Sequence, residues 1–159
     1  PGCRSQPDRH RLTKHGAILM LYVDTSVLVA YYCPEALSLQ AQNLLREQAQ
    51  PALSFLTEVE FTSAVAKKVR LHELGGADGQ RILAKFTAHV EGGLFRIISV
   101  EQHHYRLARG WIGLLTTPLR TLDALHLAIA SSEELPLVTS DTSFFQAARM
   151  LELDARLIA

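Results

Sequence analysis

Residues 19–30 read LMLYVDTSVLVA, and they decide the fold because an apolar run ends abruptly at an acidic residue before a second apolar run begins. The first run predicts a buried β-strand at about residues 18–23, and the second predicts a helix that starts directly after Asp24. A strand followed at once by a helix is typical of α/β proteins, which bind ligands at the carboxyl ends of their strands. Asp24 is therefore the first candidate functional residue.

The composition of the 159-residue chain predicts one soluble globular domain. Hydrophobic residues make up 48% and charged residues 20%, which is an ordinary balance for a globular protein. The sequence contains no run of about 18 uninterrupted apolar residues, so we expect no contact with a membrane. Its two cysteines, Cys3 and Cys33, form neither a disulfide framework nor a zinc-binding spacing, and this usage favours a reducing cytoplasm.

The charge of the whole chain is balanced, with 16 basic and 16 acidic residues, so net charge alone indicates no polyanionic partner. Residues 1–19 carry four basic residues and one acidic residue, which leaves three net negative charges on residues 20–159. We interpret residues 1–17 as a flexible basic arm that is not necessarily native, with Met20 as a candidate start. Residues 18–159 are expected to form a single domain.

Beyond the first strand, the chain alternates short apolar runs with helical patterns, which predicts repeated βαβ units. Apolar residues at helical spacing, such as Leu37, Ala41 and Leu44, predict the helices. Four further strands are predicted at residues 52–55, 95–100, 137–139 and 156–158. We therefore predict one α/β domain with a parallel sheet covered by helices on both faces.

Four acidic residues come where a parallel sheet presents its carboxyl ends: Asp24, Glu60, Asp123 and Asp141. Four carboxylates gathered on one rim repel one another and raise one another's pKa values. A divalent cation such as Mg²⁺ relieves this repulsion and prefers carboxylate and water oxygens as ligands. The residues alone leave two interpretations open, a metal site and a set of separate structural roles.

Each acid also has a structural interpretation. Asp24 and Asp141 are good N-cap residues for the helices that follow them. The spacing of Thr57 and Glu60 fits a capping box, in which the glutamate holds a backbone amide. Asp123, in the first turn of its predicted helix, could simply complement the helix dipole.

Four stretches, taken in order, resemble the PIN-domain ribonucleases, and in particular the VapC-type toxins of bacterial and archaeal toxin–antitoxin pairs. They are YVDTSVL at residues 22–28, SFLTEVEF at 54–61, LRTLDALHLA at 119–128 and VTSD at 138–141. The resemblance covers about residues 20–159, and its most specific piece is LDALHLA. For the second acid, Glu60 followed by Ala64 fits the family's glutamate better than Glu58 does.

The resemblance implies a three-layer α/β/α PIN-like fold with a five-stranded parallel sheet in the order 3-2-1-4-5. It also implies a metal-dependent endoribonuclease in which one or two Mg²⁺ or Mn²⁺ ions are held by Asp24, Glu60, Asp123 and Asp141. The implied partners are a VapB-like antitoxin, an RNA substrate and a second copy of the chain in a homodimer.

Several other polar residues are candidates for supporting roles. Three hydroxyl side chains are expected either to orient the acids and their waters or to cap helices: Thr25, Ser26 and Thr139. Arg120 and Lys67 are candidates for contact with RNA, although a solvated surface role is equally open. We expect His126 to be a buried, hydrogen-bonded histidine rather than a metal ligand.

Three alternative functions remain open. A housekeeping PIN nuclease for RNA processing often carries additional domains, so we expect the compact toxin instead. A haloacid-dehalogenase-like phosphatase also starts from an aspartate that ends a strand, but it needs a second acid two residues later, where this chain has Ser26. A non-catalytic partner-binding domain would use the acids only as caps, and the full set of four disfavours it. The RNA that is cleaved is not specified by the sequence.

Overall fold

The computed structural model describes residues 20–48 and 50–159, which contain five short strands and seven helices. The predicted arm at residues 1–17 and the first two residues of the predicted strand 18–23 lie outside these ranges. In chain order, the elements are β1 (Tyr22–Val23), α1 (Thr25–Tyr32), α2 (Ser38–Arg46), β2 (Ala52–Ser54), α3 (Phe55–Arg70), α4 (Gly76–Glu91), β3 (Arg96–Ile98), α5 (Gln102–Ile112), α6 (Thr121–Ser132), β4 (Leu137–Thr139), α7 (Thr142–Met150) and β5 (Ala155–Leu157).

The five strands form one parallel sheet in the order β3-β2-β1-β4-β5, which confirms the order implied by the family resemblance. Tyr22 of the central strand β1 pairs with Ala52 of β2 on one side and with Leu137 of β4 on the other. Strand order reverses at β1, and in open α/β sheets this switch point is where ligands bind. Asp24 follows β1 directly.

The sheet has a hydrophobic core on each face, because successive side chains of a strand point to opposite sides. Val23 and Leu53 belong to a core that includes residues of α1, α2, α3 and α4. Tyr22 and Leu137 belong to a second core that includes residues of α5, α6 and α7. This arrangement confirms the three-layer α/β/α fold with helices on both faces of the sheet.

The start of α3 differs from the sequence prediction. Strand β2 ends at Ser54, and α3 begins at Phe55, which was predicted to be the last strand residue. Ser54 and Thr57 form the capping box: the Thr57 amide donates to Ser54 Oγ at 3.4 Å, and the Ser54 amide donates to Thr57 Oγ1 at 3.2 Å. The predicted capping box between Thr57 and Glu60 is therefore wrong, because the earlier helix start places Glu60 in the second turn.

Three other strands are shifted or shortened relative to the prediction, whereas the fourth, residues 137–139, is confirmed. Strand β1 begins only at Tyr22, although residues 20 and 21 were also predicted to belong to it. Strand β3 covers only Arg96–Ile98 because the chain leaves the sheet before Glu101, the N-cap of α5. Strand β5 begins one residue earlier than predicted, at Ala155. None of the described helices combines the length and apolarity needed to cross a bilayer.

Candidate metal and RNA site

The four predicted acids line one open cavity of about 680 Å³, together with the predicted supporting residues Thr25 and Ser26 and both predicted RNA contacts. The cavity lies at the carboxyl end of the sheet, because Asp24 follows β1 and Asp141 follows β4. Asp24 and Asp141, which are more than a hundred residues apart in the sequence, therefore meet at the switch point, as expected for this topology. Their roles as metal ligands and RNA contacts stay predictions.

Asp24 is both the N-cap of α1 and a residue of the cavity. It is 7% exposed, and its Oδ2 accepts three hydrogen bonds, from the Ser26 amide at 3.3 Å, from Ser26 Oγ at 2.5 Å and from Thr139 Oγ1 at 2.9 Å. Its Oδ1 has no hydrogen-bond partner among the described residues. Capping therefore uses one carboxylate oxygen and leaves the other available for a ligand.

Asp141 is the N-cap of α7, as its sequence context indicates. Its Oδ1 accepts from the Ser143 amide at 2.8 Å and the Phe144 amide at 3.0 Å, and its Oδ2 accepts from Arg120 Nη2 at 2.7 Å. Partial burial would raise the pKa of Asp141, but the Phe144 amide, the Arg120 guanidinium and the Ser143 amide outweigh it and hold the pKa below its usual value.

Asp123 lies in the first turn of α6, and its Oδ2 accepts from Arg120 Nε at 2.8 Å. Burial raises the pKa of Asp123 above its usual value; the Arg120 charge opposes this rise, and the negative charges of Asp24 and Asp141 add to it. The Arg120 side chain is 67% exposed and joins Asp123 to Asp141. We call Asp123, Arg120 and Asp141 the outer group.

Glu60 is held from the other side of the cavity by two donors to the same oxygen, Oε2. Thr25 Oγ1 donates to it at 2.8 Å, and the ring Nε2 of His126 forms a second, short hydrogen bond with it. Burial would raise the pKa of Glu60, but the hydrogen bonds from His126 and Thr25 hold the pKa below its usual value. Glu60 Oε1 has no partner within the described part of the chain.

A buried chain of hydrogen bonds continues from His126 into the protein. Its ring Nδ1 lies 2.8 Å from the Tyr22 hydroxyl, which in turn lies 2.8 Å from Ser54 Oγ. His126 is 1% exposed, so the prediction of a buried, hydrogen-bonded histidine is confirmed. Sequence reasoning missed the role of Tyr22, because its partner His126 lies 104 positions away. We call Glu60, His126, Tyr22 and Ser54 the inner group.

The oxygen donors of the cavity fit a hard divalent cation. Across residues 20–48 and 50–159, no three Asp, Glu, His or Cys side chains converge closely enough to hold a metal ion. Instead, the carboxylates are engaged by Arg120, by His126 and by hydroxyl groups. Three oxygens still accept no hydrogen bond from described residues: Asp24 Oδ1, Glu60 Oε1 and Asp123 Oδ1. Such oxygens are the ligands that Mg²⁺ and Mn²⁺ prefer.

Solved structures of similar fold cover most of the chain. FitAcB from Neisseria gonorrhoeae has a TM-score of 0.63 at 21% identity, over 86% of this chain and 96% of its own. VapBC2 from Rickettsia felis, bound to a DNA fragment from their promoter, has a TM-score of 0.62 at 18% identity, over 87% and 98%. VapC20 from Mycobacterium tuberculosis, a sarcin-ricin loop cleaving toxin, has a TM-score of 0.63 at 19% identity, over 80% and 94%. At these identities the likeness is one of fold.

Sequence comparison gives the family directly. No curated protein matches the chain. Residues 21–150 match the PIN domain family. This range contains β1, β2, β3 and β4 together with the four acids of the cavity. Because the match spans most of the 159 residues, the chain belongs to the PIN-domain family.

Proposed function

We propose that this protein is a metal-dependent endoribonuclease that hydrolyses RNA phosphodiester bonds and acts as the toxin of a toxin–antitoxin pair. The observation that carries the proposal is the cavity itself: carboxylates from four separate segments line it, and three of them keep an oxygen that accepts no hydrogen bond from residues 20–48 or 50–159. Membership of the PIN-domain family supports the same chemistry.

The proposed metal ligands are Asp24, Glu60, Asp123 and Asp141. A bound Mg²⁺ or Mn²⁺ would supply Lewis-acid catalysis and charge stabilisation at the phosphoryl group. The protein's own contribution is to fix its carboxylates before the cation arrives: Ser26 and Thr139 orient Asp24, and Thr25 and His126 orient Glu60. These partners match the outer-shell role that hydroxyl and imidazole groups have in other metal sites.

Two basic side chains of the cavity, Arg120 and Lys67, are proposed contacts for the RNA backbone. A guanidinium group matches the geometry of a phosphate better than an ammonium group does, because it can donate two parallel hydrogen bonds. Arg120 is mostly exposed and already reaches two carboxylates of the outer group, so it lies beside the proposed reaction centre. Lys67 is exposed on α3, in the turns that follow Glu60.

We also propose a cognate VapB-like antitoxin as the protein partner and a homodimer as the assembly. Support for the antitoxin comes from the fold shared with VapBC2 of Rickettsia felis and with the toxin VapC20 of Mycobacterium tuberculosis, and the homodimer rests on the family resemblance alone. A gene for a small antitoxin-like protein beside the gene for this chain would strengthen the proposal, and co-expression of the two products followed by affinity purification would test it.

The decisive experiment compares Asp24→Asn with Asp154→Asn. Asp154 is an exposed aspartate that precedes β5, at the opposite end of the sheet, so the same substitution there leaves the cavity intact. Purified protein is incubated with total bacterial RNA and Mg²⁺, and new 5′ ends are sequenced. We expect Asp24→Asn to lower cleavage by about a thousandfold or more, since losing a metal ligand removes several kcal/mol of transition-state stabilisation.

Chelation gives the second half of this test. EDTA should abolish cleavage by the parent protein and by Asp154→Asn, and Mg²⁺ or Mn²⁺ should restore it. Cleavage that survives in EDTA, or that is equal in Asp24→Asn and the parent, would show that the proposed site is wrong. Release of phosphate from small esters with an acyl-phosphate on Asp24 would instead establish the phosphatase alternative.

A further inference from the structure

We infer that Tyr22 and His126 form a buried positioning pair that fixes the Glu60 carboxylate for cation binding. The inference rests on the proposed function in one respect, that Glu60 is a metal ligand. Neither residue contacts the cation in this scheme. They act through Glu60, and their effect is on how well its free oxygen is placed.

The direction of the hydrogen bonds follows from the groups involved. The ionised Glu60 carboxylate can only accept, so His126 Nε2 must carry the hydrogen of the bond to Glu60 Oε2. In the neutral ring the other nitrogen, Nδ1, is then an acceptor and receives the hydrogen of the Tyr22 hydroxyl at 2.8 Å. The Glu60 carboxylate therefore requires the Nε2–H tautomer, and the Tyr22 hydroxyl, by donating to Nδ1, stabilises the same form.

Tyr22 is itself anchored to the helix that carries Glu60. Its hydroxyl oxygen lies 2.8 Å from Ser54 Oγ, and Ser54 is the N-cap of α3. The chain of contacts therefore starts at the beginning of α3, crosses β1 and α6, and returns to α3 in its second turn, at Glu60. Such a closed loop ties three elements together and limits the rotation of each side chain in it.

The hydrogen bonds of this closed loop lie inside the protein, which strengthens their hold on Glu60. Tyr22 is 0% exposed and His126 is 1% exposed, whereas Glu60 reaches the cavity. Hydrogen bonds in such a low-dielectric environment are stronger than in water, and an unmatched polar atom there is costly. The pair therefore holds Glu60 Oε2 firmly and leaves Oε1 as the oxygen available to a cation.

Two substitutions of His126 separate positioning from simple packing. In His126→Gln the side-chain amide can occupy the place of Nε2 and still donate to Glu60. In His126→Asn the shorter amide can occupy only the place of Nδ1, so the contact with Tyr22 is kept and the contact with Glu60 is lost. Both variants bury a similar amide at the same position, which makes each the control for the other.

The measurement is Mn²⁺ affinity by isothermal titration calorimetry on the purified, full-length variants, with urea unfolding of the metal-free proteins alongside. We expect His126→Asn to bind Mn²⁺ about 10- to 100-fold more weakly than the parent, as for other residues that orient a ligand, and His126→Gln to recover most of the loss. Equal affinities for the parent, His126→Asn and His126→Gln would overturn the inference. If Asp24→Asn also binds Mn²⁺ as tightly as the parent, the proposed function fails instead.

Nuclear magnetic resonance tests the tautomer without any metal. Two-bond ¹H–¹⁵N correlations of the His126 ring should show the Nε2–H form in the parent protein. In Tyr22→Phe, which removes only the hydroxyl, we expect the Nε2–H form to persist, because Glu60 still accepts its hydrogen, and Mn²⁺ to bind more weakly, because the ring is no longer held at Nδ1. An Nδ1–H ring in the parent, or Mn²⁺ binding in Tyr22→Phe as tight as in the parent, contradicts the inference even if the His126 variants fail to fold.

Discussion

The inner and outer groups hold their carboxylates by opposite means. In the inner group, Glu60 is fixed by His126, a side chain that is 1% exposed and is itself bonded to Tyr22. In the outer group, Asp123 and Asp141 share Arg120, a side chain that is 67% exposed. Glu60 is therefore held by buried side chains, whereas Asp123 and Asp141 are held by one positively charged side chain at the surface.

This difference indicates which half can rearrange. Breaking a buried hydrogen bond and leaving its partner unsatisfied costs about 1–3 kcal/mol, whereas an exposed ion pair contributes only about 0.2–1 kcal/mol. Glu60 would therefore present a fixed oxygen to a bound cation, and Asp123 and Asp141 would give up Arg120 at little cost. In the metal-free protein, Arg120 supplies a positive charge to these two acids.

Tyr22→Phe should have the largest effect on the free energy of unfolding among the substitutions that test this difference. We expect a loss of about 1–3 kcal/mol, because His126 Nδ1 and Ser54 Oγ lose a buried partner. Urea denaturation measures it, with Tyr105→Phe as the control, since Tyr105 is 54% exposed. Equal losses in the two variants would mean that the inner group is no more rigid than the surface.

Asp141→Ala should lower the free energy of unfolding by about 0.5–2 kcal/mol, because the N-cap of α7 loses its acceptor. Asp141→Asn keeps an oxygen for the Ser143 and Phe144 amides and loses only the charge that pairs with Arg120. Its loss, measured by the same denaturation, should therefore be clearly smaller. If Asp141→Asn is as unstable as Asp141→Ala, the ion pair with Arg120 contributes more to the free energy of unfolding than the N-cap does. The outer group would then be held more firmly than an exposed ion pair predicts.

Arg120→Gln should change the unfolding free energy of the metal-free protein by less than about 1 kcal/mol, since the guanidinium that forms both ion pairs is 67% exposed. The same variant should bind Mn²⁺ more tightly than the parent, because the guanidinium no longer competes for the oxygens of Asp123 and Asp141. Calorimetric titration measures this change, and Arg109→Gln, an exposed position on α5, is the control. Weaker Mn²⁺ binding in Arg120→Gln would show that Arg120 assists the cation rather than yielding to it.

Asp123→Asn should give the smallest change, and it should be stabilising. Because the pKa of Asp123 is raised in the folded protein, the folded state binds this proton more readily than the unfolded state does. Stability of the metal-free parent is therefore lost as the pH rises from about 4, the pKa of an unfolded aspartate, through the raised folded pKa. We expect Asp123→Asn to be more stable than the parent at pH 7, by less than about 1 kcal/mol, with the difference shrinking at pH 4.

A lower stability of Asp123→Asn at pH 7 would contradict this sign and would mean that Arg120 stabilises the Asp123 charge more than burial opposes it. Urea denaturation at the two pH values, with EDTA present throughout, distinguishes the outcomes.

Much of the fold could be predicted because its signals are local. The abrupt step from Val23 to Asp24 marks the end of β1, and residues 137–139 were predicted as a strand without error. The start of α3 was missed because Phe55 is apolar and continues the pattern of β2, whereas the Ser54–Thr57 capping box decides the boundary. Strand order came from the family resemblance, since pairing between distant segments leaves no local pattern.

The site was predicted less completely, for two physical reasons. Capping and ligand binding were treated as alternatives for Asp24, yet a carboxylate has two oxygens and can do both. The partner of His126 could not be found, because nothing in the sequence near Tyr22 indicates a residue 104 positions away. Burial of His126 was predictable from its apolar neighbours in LDALHLA, but its hydrogen-bond partners depend on how α6 packs against the sheet.

The hydrogen bond from Thr139 of β4 to Asp24 joins residues 115 positions apart, and it has a consequence for the order in which the protein is made. Translation produces Asp24 early and Asp141 only after β4, so a chain still on the ribosome holds an incomplete set of acids. The proposed nuclease therefore cannot attack RNA until Asp141 has been added to the growing chain.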